Sequence, residues 1–343
     1  MVSDKNNFNL SGPSHLTTVD WNNADDHRSV AASMVNGVYI LEREHKKNRN
    51  GPQTLAPPWW EFFHFQLHHS IMDDKSICGA VYEFKPPAST SHLSIHKAPR
   101  YVIAFRGTIL GKGSWICDIK SDILLFKNEI TAYSRYEVGV KAVKEMVAEV
   151  GASNIWLAGH SLGSAMAMFA GKYMAKAGVY LQSFLFNPPL VSMPIEWIKD
   201  EKLKKYIRTT TSMITAAFNI LPKNSRRKSA LDVDFVALSS WVPCLFLNRA
   251  DLICSEFIGY FENRKRMEEF GGRELLELTA LNSIPNLLLV KTESEPMHVL
   301  PSADLIIYSS PSLKSTLHAH ELCHWWSKEV SKKTTTLYQY RGK

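Results

Sequence analysis

The sequence predicts an α/β domain with a mostly parallel central sheet and helices on both faces. Three observations carry this. Short apolar runs of strand length recur along the chain, at 101–105, 154–158, 181–186, 242–247 and 303–308. Segments with helical periodicity lie between several of them, the alternation that builds a parallel sheet covered on both sides. One strand-to-helix junction carries Gly159-His160-Ser161-Leu162-Gly163. A G-x-S-x-G turn in that setting lifts its serine above the sheet.

Taken in order, residues 1–16 are expected to be a flexible N-terminus. Leu16 to Arg43 has the spacing of a helix, with Val30, Met34, Val38, Ile40 and Leu41 apolar and Asp25 and Asp26 near its start, where the dipole favours acid. Polar residues with Gly and Pro make 44–56 a loop. Pro57 to Phe65 is dense in aromatics and reads as a cap packed over the core. Ile77–Phe84 reads as a strand stopped by Pro86-Pro87. Tyr101–Phe105 is a buried strand, and Arg106-Gly107-Thr108 follows it. Val140, Val143, Val147 and Val150 mark a helix that ends at Gly151. After the serine turn, Ser164–Lys176 is rich in Ala and Met and reads as helix.

Later elements are a strand to Phe186, an irregular excursion, a strand to Leu247 and a charged helix over 261–275. Leu287–Val290 reads as a short strand or helix end, and Ala303–Tyr308 as a late strand. The expected organisation is one domain over 17–327, with a helical insertion around 192–240 and a basic C-terminal tail over 328–343.

Composition limits the function classes. An apolar share of 45% supports a large core, and 21% charged residues is ordinary for a globular domain. The net charge of +7 is spread over short clusters such as Arg226-Arg227-Lys228 and Arg264-Lys265-Arg266. That is too diffuse for a nucleic-acid partner, though it suits contact with anionic lipid headgroups. Five cysteines, Cys78, Cys117, Cys244, Cys254 and Cys323, form no C-x-x-C pair, so reduced thiols are expected. Met1–Ser14 is polar, so no secretory signal is expected, and no run of about 18 apolar residues marks a membrane span. A cytoplasmic protein, with peripheral membrane contact as an option, is the expectation.

The chemistry follows from what a serine lacks. Its hydroxyl is a poor nucleophile at neutral pH and needs a base, which in turn needs a carboxylate to fix its tautomer. In this architecture the chain order is Ser, acid, His. Asp251 follows a strand end directly and is preferred as the acid over Glu256, Asp232, Asp234 and Asp304. His320 is preferred as the base, with His318 and His324 as alternatives. His160 lies inside the turn and faces the wrong way for a base. Gly159 and Gly163 supply the lack of bulk the tight turn requires. Oxyanion donors are expected from the Leu162 amide and from Thr108, which offers an amide and a hydroxyl.

Phe105-Arg106-Gly107-Thr108, Trp115, Asp118, the 159–163 turn, Asn248-Arg249-Ala250-Asp251-Leu252-Ile253-Cys254, and Ala319-His320 with Trp325-Trp326 together resemble the class 3 (fungal-type) lipases, in particular their plant branch. The likeness covers roughly residues 20–327. It implies an α/β-hydrolase fold and a Ser161-Asp251-His320 triad, with Thr108 and Leu162 as the oxyanion hole. It implies a lid at Ile109–Trp115. The implied substrate is an acyl lipid or other carboxylic ester, cleaved through an acyl-enzyme with no cofactor or metal.

Two rival readings come from other classes. His320-Glu321-Leu322-Cys323-His324 fits H-E-x-x-H, the signature of a zinc protease with both histidines on one helix face. A hydrolase fold can also serve as a non-catalytic lipid-binding or signalling scaffold.

Overall fold

A computed structural model of the chain describes residues 8–49, 54, 57–74, 76–86, 96–109, 130–189, 237–269, 300–309, 316–327 and 333–339. Among them one sheet of eight strands runs in chain order: β1 (Phe65–Asp73), β2 (Ser76–Phe84), β3 (Tyr101–Phe105), β4 (Ile155–His160), β5 (Gln182–Phe186), β6 (Cys244–Asn248), β7 (Ala303–Tyr308) and β8 (Lys333–Tyr338). Strands β3 to β7 are parallel, and β1, β2 and β8 join antiparallel at the two edges. The helices are α1 (Phe8–Ser11), α2 (Ala24–Lys46), α3 (Ile130–Val150), α4 (Leu162–Lys176), α5 (Ser255–Glu269) and α6 (Thr316–His320). This is the expected α/β architecture.

Every residue of β3 and β4 is buried. That is why these strands read as unbroken apolar runs rather than as alternation. Ile103, Leu157, Leu185, Leu245 and Leu305 point to one face, where α3, α4 and α5 cover them. Val102, Trp156, Phe184, Phe246 and Ile306 point to the other, under α2 and the aromatics Trp59, Trp60, Trp325 and Trp326. The parallel strands follow one another in a single direction, and the described helices between them, α3, α4 and α5, all cover one face, as crossovers of one hand require. The opposite face is left to α2 and the aromatic segments. Each large apolar side chain buried here contributes roughly 1.5–3 kcal/mol.

Helix α2 begins at Ala24, later than the expected Leu16, because the Asn23 cap and the acidic pair set its first turn. The Asn23 side chain accepts from the Asp25 amide at 2.9 Å, and Asp25 and Asp26 fill the first turn. The aromatic stretch before β1 is core: Trp59, Phe63 and Phe65 are fully buried.

Two expectations need correction, and one strand went unread. The N-terminus is not loose throughout, because Phe8 of α1 is buried with its ring 4.9 Å from Trp59 and 5.0 Å from Phe62. The tail is not merely a basic extension, since Lys333–Tyr338 forms β8 beside β7. Its threonine run favours a strand, but its exposed face hides the apolar alternation. The stretch 65–73 carries no legible period because register shifts between Leu67 and His69 and between Ile71 and Met72 break it. Residues 192–236, 287–290 and 110–118 lie outside the described residues, and with them most of the expected insertion and lid. No helix among the described residues is long and apolar enough to cross a membrane.

A buried ion pair fixes the end of β3 that borders the serine turn. Arg106 and Glu42 lie 3.2 Å apart, both buried. Arg106 also donates to the carbonyls of Ile77 and Gly107 at 2.7 Å, while Glu42 accepts from the Ile77 amide. Glu42→Ala strands the guanidinium without its counter-charge and is expected to cost about 3–5 kcal/mol in urea unfolding. Lys46→Ala removes a solvent-exposed partner of the same carboxylate and is expected to cost under about 1 kcal/mol.

Candidate active site

The site sits where β4 passes into α4, at the carboxyl ends of the parallel strands. Ser161 has φ 54 and ψ −125, a conformation an L-residue adopts only under constraint. The constraint is packing. A Cβ on Gly159 would meet the Gly163 carbonyl oxygen at 2.3 Å, and one on Gly163 would meet that of Phe105 at 2.3 Å. Backbone atoms cannot yield, so both positions require glycine. Ser164 Oγ donates to the carbonyls of Gly159 and Phe186, and the Ser161 amide donates to the Phe186 carbonyl. The turn is thus tied to β5.

Asp251 is fully buried just past the end of β6. Its Oδ1 accepts from the Ile253 amide at 2.9 Å. Its Oδ2 faces His320 Nδ1 at 2.7 Å and the Asn187 side-chain amide at 2.6 Å. Burial alone raises the carboxyl pKa. The His320 charge and these hydrogen bonds outweigh it and hold the group below the usual carboxylate range. Asn187 is a residue the sequence reading did not single out as functional. Its φ of 46 turns the chain after β5, and its side-chain Oδ1 accepts from the Trp325 indole. The only hint was its place at a strand end before Pro188-Pro189. Asn248, part of the acid motif, donates to the Ala319 carbonyl at 3.0 Å. Two asparagines therefore hold the backbone beside His320.

His320 itself is buried, and its Nε2 has no hydrogen-bond partner among the described residues. The alternatives His318 and His324 lie elsewhere. His318 Nδ1 meets Glu321 at 3.0 Å, and His324 Nε2 meets the His318 carbonyl at 2.6 Å. The H-E-x-x-H reading does not survive this geometry. Helix α6 ends at His320, Glu321 is extended with ψ 134, and a 3-10 turn follows at Leu322–Trp326. His320 and His324 are therefore not an i, i+4 pair on one helix face.

His160 is also buried. Its Nε2 donates to the His320 carbonyl at 2.9 Å and its Nδ1 accepts from the Tyr39 hydroxyl at 2.8 Å. Tyr39 in turn accepts from the Gly107 amide at 2.8 Å. One side chain of α2 thereby links the end of β3, the serine turn and the backbone of His320. A Cβ on Gly107 would meet the Ser161 Cβ at 2.8 Å, so the end of β3 lies against the serine. Thr108, next along, is half-buried. Leu162 opens α4, where the first amides lack an intrahelical acceptor.

Burial, with the neighbouring His320 charge, pushes the His160 pKa down to about 3. The ring stays neutral in the fold, whereas in the unfolded chain it binds a proton below about 6.5. Stability contributed by the neutral ring is present above that pH and drains away as pH falls toward 3, by on the order of 4 kcal/mol. Urea unfolding at pH 7, 6, 5 and 4 is expected to show this slope. His160→Asn is expected to be less stable at pH 7 but to show a shallower slope.

Comparison with known proteins gives the family. Residues 102–223 match the model of the Lipase (class 3) family. The chain is 42% identical over 353 residues to a GDSL esterase/lipase of Arabidopsis thaliana, covering 99% of this chain and all of the relative. No Gly-Asp-Ser-Leu run occurs in the present sequence, whose serine turn reads Gly159-His160-Ser161-Leu162. With nearly the whole chain aligned to such a relative and the α/β-hydrolase sheet in place, the chain belongs to the class 3 lipase family of carboxylic-ester hydrolases.

Proposed function

We propose that the protein hydrolyses the carboxylic esters of acyl lipids through Ser161, His320 and Asp251. The observation that carries this is the state of His320. One ring nitrogen is bound to a buried carboxylate, and the other is buried without a partner, in a ring whose backbone is tethered to the residue before Ser161. In this reading His320 Nε2 takes the Ser161 proton as Oγ attacks the acyl carbon. Asp251 holds Nδ1–H and stabilises the imidazolium. The Leu162 amide and Thr108 hold the oxyanion, because the Gly107 amide is already given to Tyr39. His320 then protonates the leaving alcohol, and water releases the acid by the same steps.

An acyl chain as the electrophile's tail is supported by Leu252, which follows Asp251 and is 47% exposed. Peripheral membrane contact fits the diffuse +7 charge. Among the described residues Cys78, Cys244, Cys254 and Cys323 form no disulfide, which suits a reducing, cytoplasmic compartment. The test is a p-nitrophenyl ester chain-length series on wild type and Ser161→Ala. Turnover that depends on Ser161 and rises with chain length supports the proposal. Equal turnover in both proteins, or none at any length, removes it.

A further inference from the structure

The rejected H-E-x-x-H segment contains a different arrangement. A ring nitrogen of His318, a carboxylate oxygen of Glu321 and a ring nitrogen of His324 all lie within 4.8 Å of one another. No other group of three such side chains gathers among the described residues. The break in the chain creates it. Helix α6 stops at His320, Glu321 is extended, and a 3-10 turn follows, with the ring centroids of His318 and His324 4.5 Å apart. His320 is turned the opposite way, into Asp251.

We propose that His318, Glu321 and His324 bind one Zn2+ ion, which braces the outer side of the segment carrying His320. Two histidines and a carboxylate are a recurring zinc donor set. His318 Nδ1 and Glu321 Oε2 are 3.0 Å apart. Ligands held at about 2.0–2.1 Å from a tetrahedral zinc stand roughly 3.3 Å apart, so this pair needs almost no movement. His324 is oriented as a ligating histidine is. A carbonyl only accepts, so Nε2 donates its proton to the His318 carbonyl at 2.6 Å, the backbone anchor that orients many ligating histidines. The His324 ring also lies 6.1 Å from Tyr308, inclined by 29°, which limits its rotation. The Cys323 thiol donates to Glu321 Oε2 at 3.5 Å, adding a soft donor beside the carboxylate. His318 is 45% exposed at its side chain and Glu321 26%, so an ion can enter from solvent.

The consequence concerns the segment between these ligands. Ala319 and His320 are held from inside through their carbonyls, by Asn187, Asn248 and His160. The ion would close the outside of the same short stretch. This does not depend on the hydrolytic reading, since none of the three ligands belongs to the proposed triad.

The test is calorimetric titration of the metal-stripped full chain with ZnCl2, paired with thermal unfolding. One ion per chain is expected, with a melting temperature raised by roughly 5 °C at saturation. His318→Ala with His324→Ala, and separately Glu321→Gln, should each weaken binding at least about tenfold, and Ser161→Ala should bind as wild type does. X-ray absorption of the zinc-loaded wild type reads the ligands even if a variant fails to fold, and two imidazole nitrogens are expected. Absence of binding, an all-oxygen shell, or binding lost in His68→Gln with His69→Gln but kept in the His318 and His324 variant would overturn the proposal. The last outcome would place the ion on the exposed His68–His69 pair instead.

Discussion

Ser161→Ala is expected to lower ester kcat by at least about 10^4-fold while leaving the fold intact. The two halves of this expectation have separate causes. Loss of the nucleophile removes the acyl-enzyme route, and what remains is the residual assistance of oxyanion donors and binding. Stability is spared because the Ser161 hydroxyl makes no hydrogen bond among the described residues; its amide and carbonyl hold the turn. The strained φ of 54 belongs to the backbone and stays with alanine. Ser161→Gly, equally inactive, is expected to be more stable than the alanine variant by about 1 kcal/mol, because glycine adopts this conformation without a Cβ penalty. Initial rates on a p-nitrophenyl ester, beside thermal unfolding of the three proteins, check both halves. Retained turnover in Ser161→Ala would remove the serine from the chemistry.

Asp251→Asn is the second large effect, and unlike the first it strikes activity and stability together. An ester kcat about 10^4-fold lower is expected, because an amide facing Nδ1 no longer selects the tautomer that leaves Nε2 as a base. The stability cost follows from counting acceptors. The carboxylate receives the Ile253 amide on one oxygen, and His320 and Asn187 on the other. An asparagine has one oxygen, so at least one buried donor loses its acceptor, at roughly 1–3 kcal/mol. Kinetics and urea unfolding on the same preparation separate the terms. An Asp251→Asn enzyme with near-wild-type kcat would show that His320 does not take its orientation from this carboxylate.

Legibility in the sequence followed a physical pattern. Elements whose side chains meet one environment along their length were readable: β3 and β4, buried on both faces, and the body of α2, with its acidic first turn. Elements at the sheet edges were not. β1 loses its period at two register shifts, and β8 shows solvent a run of threonines. The serine turn was readable because its requirement is local: five residues with glycine where a Cβ would strike backbone.

What the sequence alone determined is therefore the succession of the central strands and the helices between them, the turn that presents Ser161, and the short list of acids and imidazoles beyond it. It favoured His320 but left His318 and His324 open, since the three lie within seven residues of one another. Only the folded chain decides that the ring of His320 reaches Asp251 while the other two turn to Glu321 and a backbone carbonyl. Nor could it place Asn187 and Tyr39 in the site, since their partners lie 64 and 121 positions away along the chain. The reason is one of range. A strand or a tight turn is specified by the sterics and burial of adjacent residues, whereas the direction of a side chain at a helix end is set by whichever distant atoms the packed sheet brings against it.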